Sequence, residues 1–370
     1  MKARPLKLKN YMELNKIYKG DCLEVMKTFP DNSIDMCMTS PPYWALRDYG
    51  VDGQLGLEST FKEYINKLCD IFDEVKRVLK KEGTCWVNMG DSYAGNMGKK
   101  SGWTDNKLGF SKDEAITKGV CLTKKTKIIH QLPQKCLVQI PSRFAIEMTN
   151  RGWILRNEII WYKPNCMPSS VKDRFTVDFE KIFFFSKNKK YYFETQFEPV
   201  KQCSIERLKR AVSNQNKWVN GPDGQTKHTM NQPRPNRNTK IPAETCENYG
   251  SPRARYKRYE KSNAPHEFEG SDHLVSPFDP NKGRNKRTVW KITTKPFKEV
   301  HFAVYPEELC ETPIKAGCPK KGIVLDPFFG AGTTAVVAKK LNRNYIGIEL
   351  NPEYIKIAND RLEKIQDSLF

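Results

Sequence analysis

The chain has 370 residues, 38% of them hydrophobic and 11% aromatic, which is enough to pack a core and argues against wholesale disorder. Lys and Arg number 63 against 43 Asp and Glu, and the formal net charge of +20 calls for a polyanionic partner, either nucleic acid or an anionic membrane. The membrane is the weaker choice: no run approaches the roughly 18 apolar residues of a spanning helix, and the basic first residues lack the apolar stretch and cleavage site of a secretory signal.

The 11 cysteines are scattered and form no C-x-x-C, which excludes a zinc ribbon and a thioredoxin-type pair and suits reduced thiols in a cytoplasmic protein. His228, His266, His273 and Cys246 have no spacing that fits a metal site, so no metal is expected.

In chain order, Ile17–Lys19 and Ile34–Met38 read as short strands. Thr60 and Glu63 form a T-x-x-E capping box. Behind it Phe61, Tyr64, Ile65, Leu68, Ile71, Phe72, Val75, Val78 and Leu79 recur at helical steps, with Lys80, Lys81 and Gly83 as C-terminal signals. Thr84–Asn88 reads as a buried strand, giving strand–helix–strand order and a parallel sheet. Residues 94–131 are rich in Gly, Lys and Asn and read as a long loop or insertion.

Pro141–Asn150 reads as a helix and Trp153–Tyr162 as a strand. Phe179–Phe185 and Tyr191–Phe193 read as a hairpin. Residues 201–290 carry 18 Lys and Arg against 9 Asp and Glu, with eight prolines and little periodicity, so they are not expected in a sheet core. Trp218, Tyr249, Tyr256, Tyr259 and Trp290 lie among these cations, a mixture suited to stacking on bases. Gly322–Leu325 is a strand, Thr333–Leu341 a helix and Asn344–Ile348 a strand. Asn351 and Pro352 can then open a final helix.

Two constellations carry chemistry. The first is Asp326-Pro327-Phe328-Phe329-Gly330-Ala331-Gly332-Thr333-Thr334, between a strand and a helix. Its glycines allow a tight turn and close backbone approach, and the helix start offers N–H groups. Glu349 ends the next strand, where a carboxylate can accept hydrogen bonds from two ribose hydroxyls. This order points to a cofactor containing adenosine.

The second is Thr39-Ser40-Pro41-Pro42-Tyr43-Trp44, directly after a strand. The prolines stiffen the backbone and remove two donors, leaving carbonyl acceptors, the Ser40 hydroxyl and a flat ring. That hook suits a planar ligand with an exocyclic amine: Ser40 and the Pro41 carbonyl accept its hydrogens while Tyr43 stacks on its ring. Accepting both hydrogens favours a pyramidal nitrogen with a localised lone pair.

Ser-Pro-Pro-Tyr together with Asp-Pro-Phe-x-Gly-x-Gly-Thr-Thr resembles the amino-methylating DNA methyltransferases that use S-adenosylmethionine. Further segments similar to the family are Gly20-Asp21-Cys22, Arg47-Asp48-Tyr49-Gly50, residues 160–165 and residues 301–309, and the likeness spans about 15–93, 132–195 and 296–365. The order, hook first and glycine turn last, resembles the beta group. The resemblance implies a Rossmann-like class I methyltransferase, α/β with a mostly parallel sheet and an inserted basic target recognition region, and it places strands 34–38 and 322–325 side by side.

It also implies a division into a first half of the catalytic core over 1–195, the recognition region over 196–292, and a second half over 293–370. Ser40, Pro41, Pro42 and Tyr43 become catalytic. S-adenosyl-L-methionine becomes the cofactor, held by Asp21, Cys22, Thr39, Asp326, Pro327, Phe328, Gly330, Gly332, Thr333, Thr334 and Glu349, with Phe302 and Pro306 shaping the pocket. Asp21 is assigned to the adenine amine and the glycine turn to the methionine portion. Arg253, Arg255, Lys257, Arg258, Arg284, Lys286 and Arg287 are the candidate DNA contacts.

Double-stranded DNA is the implied partner, with a cognate restriction endonuclease as a companion, and a monomer or homodimer are equally open. The reaction implied is methylation of the N4 of a flipped cytosine, because Ser rather than Asp opens the hook. Adenine N6 is the alternative, and RNA- or protein-directed methylation ranks below both.

Overall fold

The computed structural model describes residues 12–46, 51–94, 132–200, 278–279, 283–295 and 304–366. They fall into two compact units: one comprises the described residues up to Gln196 and from Lys286 onward, and the other lies within Phe197–Asn285.

The first unit is built on β1 (Lys16–Lys19), α1 (Cys22–Lys27), β2 (Ile34–Thr39), α2 (Phe61–Val78), β3 (Leu79–Met89), α3 (Ile140–Asn150), β4 (Ile154–Tyr162) and β5 (Phe179–Ser186). The second unit holds β6 (Phe197–Glu198), β7 (Phe278–Asp279) and β8 (Gly283–Asn285), a small sheet of order β6-β8-β7. The first unit resumes with β9 (Val289–Lys291), α4 (Glu307–Gly317), β10 (Ile323–Asp326), α5 (Thr333–Lys340), β11 (Asn344–Glu349) and α6 (Pro352–Gln366). No helix among the described residues is long and apolar enough to cross a membrane.

Eight strands form one sheet in the order β1-β11-β10-β2-β3-β5-β4-β9. β5 alone runs against the others, since it pairs antiparallel with both β3 and β4 while every other pairing is parallel. Strands covered on both faces read as apolar runs, as Ile-Asp-Met-Cys-Met-Thr of β2 and Ile-Val-Leu-Asp of β10 do. One face packs on the buried side chains of α1, α2 and α3, among them Met26, Leu68, Phe72 and Phe144. The other packs on α4, α5 and α6 through Leu309, Ile314, Ala335, Val336, Ala358 and Leu362. The result is a three-layer α/β/α Rossmann-like fold with a mostly parallel sheet.

β2 and β10 pair directly, Met36 with Val324 and Cys37 with Leu325, as the family resemblance requires. The chain leaves β10 through α5 to β11 on one side and leaves β2 through α2 to β3 on the other. The adjacent carboxyl ends of β2 and β10 are therefore a topological switch point, where open α/β sheets bind ligands.

Several local expectations need correction. α2 stops at Val78, because Leu79 is already extended (ψ 137°), and β3 begins at Leu79 with an irregularity over 80–83, where its register with β2 jumps from Leu79 opposite Ile34 to Thr84 opposite Met36. Those residues are strand residues rather than a helix end. Of the capping box, Thr60 Oγ1 accepts from the Glu63 N–H at 3.2 Å, but the Glu63 carboxylate accepts from Ser59 instead. The hairpin partner of β5 is β4, whereas Tyr191–Phe193 forms no strand. Val289–Lys291, expected outside any sheet core, is the edge strand of the large sheet, with Trp290 buried.

Candidate active site

The switch point opens into a cavity of about 890 Å³ that both motifs line. The hook contributes Ser40, Pro41, Pro42 and Tyr43; the glycine turn contributes Pro327, Phe328, Phe329, Gly330, Ala331 and Thr333. Gly20, Asp21, Cys22 and Glu349 line it beside the glycine turn.

A buried polar clamp joins the two motifs beneath this cavity. Asp326, 1% exposed, accepts from Thr39 Oγ1 at 2.6 Å, Thr334 Oγ1 at 2.6 Å, the Phe328 N–H at 3.1 Å and the Tyr305 hydroxyl at 3.2 Å. Burial pushes the Asp326 carboxyl above its ordinary range, and these hydrogen bonds pull against that push. Thr39, Asp326 and Thr334, assigned from sequence to the cofactor, are thus used to lock strand β2 to the turn after β10, and none of the three lines the cavity.

The turn itself requires glycine at two points. Gly330 (φ 51°) and Gly332 (φ 75°) are left-handed, and Gly332 precedes α5 as its cap residue. Glu349, at the end of β11, accepts from the Gly330 N–H at 2.7 Å and the Asn351 N–H at 2.8 Å. Burial raises its carboxyl above the usual range. Asp21 caps α1 by accepting from the Glu24 N–H at 3.1 Å while lining the cavity. Cys22 lines it too, its thiol pushed up to about 12 by burial and so kept protonated.

Thr333 accepts from Arg361 at 3.0 Å. Pro306 caps α4 outside the cavity lining, whereas Val304 and Tyr305 are lining residues. Phe302 and Arg47-Asp48-Tyr49-Gly50 lie outside the described residues.

These residues fit an adenosine-containing cofactor. A carboxylate stands at the end of β11, glycine backbone and a helix start flank it, and Leu23, Phe328, Ile348 and Tyr354 supply apolar wall. The cavity volume lies within the 300–1,000 Å³ typical of small-molecule sites.

On the hook side, the Pro42 carbonyl accepts from the Tyr64 hydroxyl at 2.8 Å, which pins the bend. Among the described residues the Pro41 carbonyl carries no hydrogen bond, so it is the acceptor left for a ligand. Trp44 is buried and donates to the Glu58 carbonyl at 3.0 Å, and the Glu58 carboxylate accepts from the Gly56 N–H at 2.9 Å, fixing the wall beside the hook.

Sequence reasoning missed the other wall. Tyr43 donates its hydroxyl to Glu180 at 2.7 Å, and Lys163 is ion-paired to the same carboxylate. Burial and the Glu180 charge hold the Tyr43 phenol well above its ordinary value. Asn88 Nδ2 donates to the Lys181 carbonyl at 3.3 Å, which turns its Oδ1 toward Ser40, 3.4 Å away. Because Tyr43 gives its one hydrogen to Glu180, Asn88 Oδ1 can take that of Ser40, leaving the Ser40 oxygen as an acceptor. Asn88 had a faint signal as a polar residue ending an apolar run, Lys163 stands in the family-like segment 160–165 with no role assigned to it, and Glu180 had no signal.

Among the proposed DNA contacts, Arg284 pairs with Glu198 at 2.8 Å in the second unit. Lys286 donates to Thr312 at 2.9 Å and lies over the Trp290 ring, and the Arg287 carbonyl accepts from Trp290 at 2.7 Å. Arg253, Arg255, Lys257 and Arg258 fall outside the described residues.

A glycine turn, an acidic strand end and a mostly parallel sheet with one reversed strand define the class I methyltransferase fold, and two solved structures share it. The PvuII DNA methyltransferase (cytosine-N4-specific) is similar in fold, with a TM-score of 0.53 at 18% identity over 96% of this chain and 91% of its own. The Thermus thermophilus protein TTHA0409, solved with S-adenosyl-L-methionine, gives a TM-score of 0.50 at 19% identity over 95% and 93%.

The chain belongs to the DNA methylase family of N6 and N4 methyltransferases, whose family model matches residues 34–360. It is 35% identical to the type II methyltransferase M.Cfr9I of Citrobacter freundii over 95% of this chain and 89% of the relative. It is also 35% identical to M.SmaI of Serratia marcescens, over 94% and 90%.

Proposed function

We propose that the protein transfers a methyl group to the N4 of a cytosine extruded from a specific site in double-stranded DNA. The observation that carries this reading is the shared cavity: Ser40–Tyr43 on one wall, Gly330 and Glu349 on the other, at the ends of paired strands. S-adenosyl-L-methionine, when bound, supplies an electrophilic methyl group. Everything else is done by this chain's own side chains and backbone.

Glu349 and Asp21 hold and orient the adenosine end, and the turn over Pro327–Thr333 holds the methionine end. Ser40, its own hydrogen taken by Asn88, accepts one hydrogen of the target amine, and the Pro41 carbonyl accepts the other. The nitrogen lone pair is then directed toward the donor. Positioning and electrostatics of this kind account for the rate without a strong base. The described residues tie neither a histidine nor a carboxylate to Ser40, and the amine proton leaves to solvent after attack.

Tyr43, pinned by Glu180, offers its ring face to the base. Ser at the head of the hook favours cytosine over adenine. The basic region 196–292 is proposed as the reader of sequence, through Arg253, Arg255, Lys257 and Arg258 with Arg284, Lys286 and Arg287. A cognate restriction endonuclease is the proposed companion, as the type II names of the relatives suggest.

The test is incubation with S-adenosyl-L-methionine and mixed-sequence duplex DNA, followed by nucleoside mass spectrometry. N4-methylcytosine is the expected product. N6-methyladenine alone, or no modified nucleoside, overturns the reading.

A further inference from the structure

β4 and β5 are joined by residues 163–178, and both ends of this loop belong to the candidate site: Lys163 starts it, and Glu180 follows two residues beyond it. The loop therefore leaves and re-enters the molecule at the target side of the cavity. Its neck is fixed. The Lys163 N–H donates to the Asp178 carbonyl at 2.7 Å, and Asn165 exchanges two hydrogen bonds with the backbone of Thr294, at 2.9 and 3.0 Å. Its polar shoulder is also held: Asp173 is paired with Lys135 at 2.6 Å, and the Arg174 guanidinium lies 3.3 Å from the centroid of the Tyr93 ring.

What the loop does not do is bury its apolar side chains. Every residue from Met167 to Val177 is exposed, with Met167 at 87% and Phe175 at 96%. An exposed apolar residue is ordinary by itself. Here two such residues share with two cations, Lys172 and Arg174, a tethered loop whose flanking residues Lys163 and Glu180 line the cavity proposed to take an extruded base. Extrusion leaves a gap in the stack opposite an orphaned base, and proteins that distort duplexes fill such gaps with Phe, Met, Leu or Ile wedges while Lys and Arg take the flanking phosphates.

We infer that the 163–178 loop is the wedge of this enzyme: Phe175, supported by Met167, enters the duplex where the target base has left, and Lys172 and Arg174 hold the adjoining phosphates. The charge of the loop's cations and its continuity with the target pocket select DNA over a second protein chain as the occupant. The inference rests on the proposed base-extruding reaction and adds the residue that stabilises the extruded state.

The test compares wild type with Phe175→Ala and Phe175→Leu on two duplexes that differ only in whether the target base is paired or mismatched, with 2-aminopurine fluorescence at the target as a second readout. Because Phe175 lies outside the core, thermal stability and S-adenosylmethionine binding should be unchanged in both variants. On the paired duplex, Phe175→Ala should lose about tenfold or more in kcat/KM, equivalent to ~1.4 kcal/mol of lost stabilisation of the extruded state. It should also lose the fluorescence rise. Phe175→Leu should retain most of both, and the mismatched duplex, whose target is already unstacked, should restore the Ala variant to near wild-type rate.

Equal activity of Phe175→Ala and wild type on the paired duplex overturns the inference. So does a loss that the mismatch does not rescue, or a change in the oligomeric state of the free protein. Wild-type methylation of the paired duplex is measured in the same experiment, so failure of the wedge is distinguished from failure of the proposed reaction.

Discussion

Thr39 and Asp326 are 287 positions apart in sequence and share a buried hydrogen bond of 2.6 Å. This bond fixes the start of the hook against the start of the glycine turn. Since β2 and β10 are neighbours in the sheet, the clamp sets the distance between the hook proposed to grip a target amine and the turn proposed to hold a methyl donor. The proposed catalytic geometry thus rests on two strand ends and one buried carboxylate.

Asp326→Asn tests the clamp through pH. Burial raises this carboxyl in the folded state, so the wild type is least penalised below the unfolded carboxyl pKa and loses stability as pH rises through the higher folded value. The amide carries no such dependence. The melting temperature of Asp326→Asn relative to wild type should therefore become more favourable as pH rises from about 4 to 7. A difference that stays constant or moves the other way contradicts the assignment. The variant should still lose turnover, since an amide cannot accept from Thr39, Thr334 and Tyr305 together.

Ser40→Ala should lower kcat by about a hundredfold, the usual cost of removing one preorganised polar group at a reacting centre. Affinity for S-adenosylmethionine should be nearly unchanged, because Ser40 belongs to the hook and not to the glycine turn. Titration calorimetry with the cofactor, beside single-turnover methylation, separates the two; equal loss in both measurements contradicts the role given to Ser40.

Gly90→Ala should disable the target pocket from outside it. A Cβ at Gly90 would lie 2.5 Å from Tyr43 Cε2, so the ring or the backbone beside it must shift, which strains the Tyr43 hydrogen bond to Glu180. Overpacking of this kind costs about 1–3 kcal/mol of stability. A folded, cofactor-binding protein with little methylation is expected; wild-type kcat/KM would show that the ring position does not matter.

Cofactor affinity should weaken as pH falls through the raised pKa of Glu349. Protonation removes charge from the acceptor proposed for the ribose hydroxyls, and burial places that protonation above the ordinary Glu range. Glu349→Gln should bind the cofactor more weakly at neutral pH and lose this dependence. Binding isotherms between about pH 5 and 8 decide the matter.

Replacing Arg253, Arg255 and Arg258 together by Ala should weaken DNA binding and flatten its salt dependence, by about 0.9 in log–log slope for each phosphate that is no longer neutralised. An unchanged slope in fluorescence anisotropy at several salt concentrations places the DNA elsewhere.

Much of this architecture is legible in the sequence, and the exceptions have physical causes. Apolar runs such as residues 34–38 and 322–325 and the periodicity of 61–78 are local signals, and each yields an element close to its expected place. Lys80, Lys81 and Gly83 mislead because the chain turns extended at Leu79, which pairs with Ile34, and they fall in the irregular stretch before the regular pairing that starts at Thr84. Val289–Lys291 is illegible because only its pairing with β4 makes it a strand.

The two motifs announce the site, since proline stiffness and glycine freedom are written in residue type. The supporting wall is not announced. Glu180 lies on the one reversed strand, so its start reaches the edge where the other strands end, a consequence of topology rather than spacing. Asp326 and Thr334 stand in the expected motif but work one layer deeper, because a buried carboxylate gathers nearby hydroxyls.

The most direct measurement is a crystal structure of the protein with S-adenosylhomocysteine and a duplex containing its target site. The expected result is one base rotated out of the stack, its ring against Tyr43 and its exocyclic nitrogen within hydrogen-bond distance of Ser40 Oγ and the Pro41 carbonyl, with the cofactor ribose on Glu349. A base left in the helix, or extruded into a pocket that does not include Ser40 and Gly330, contradicts the account.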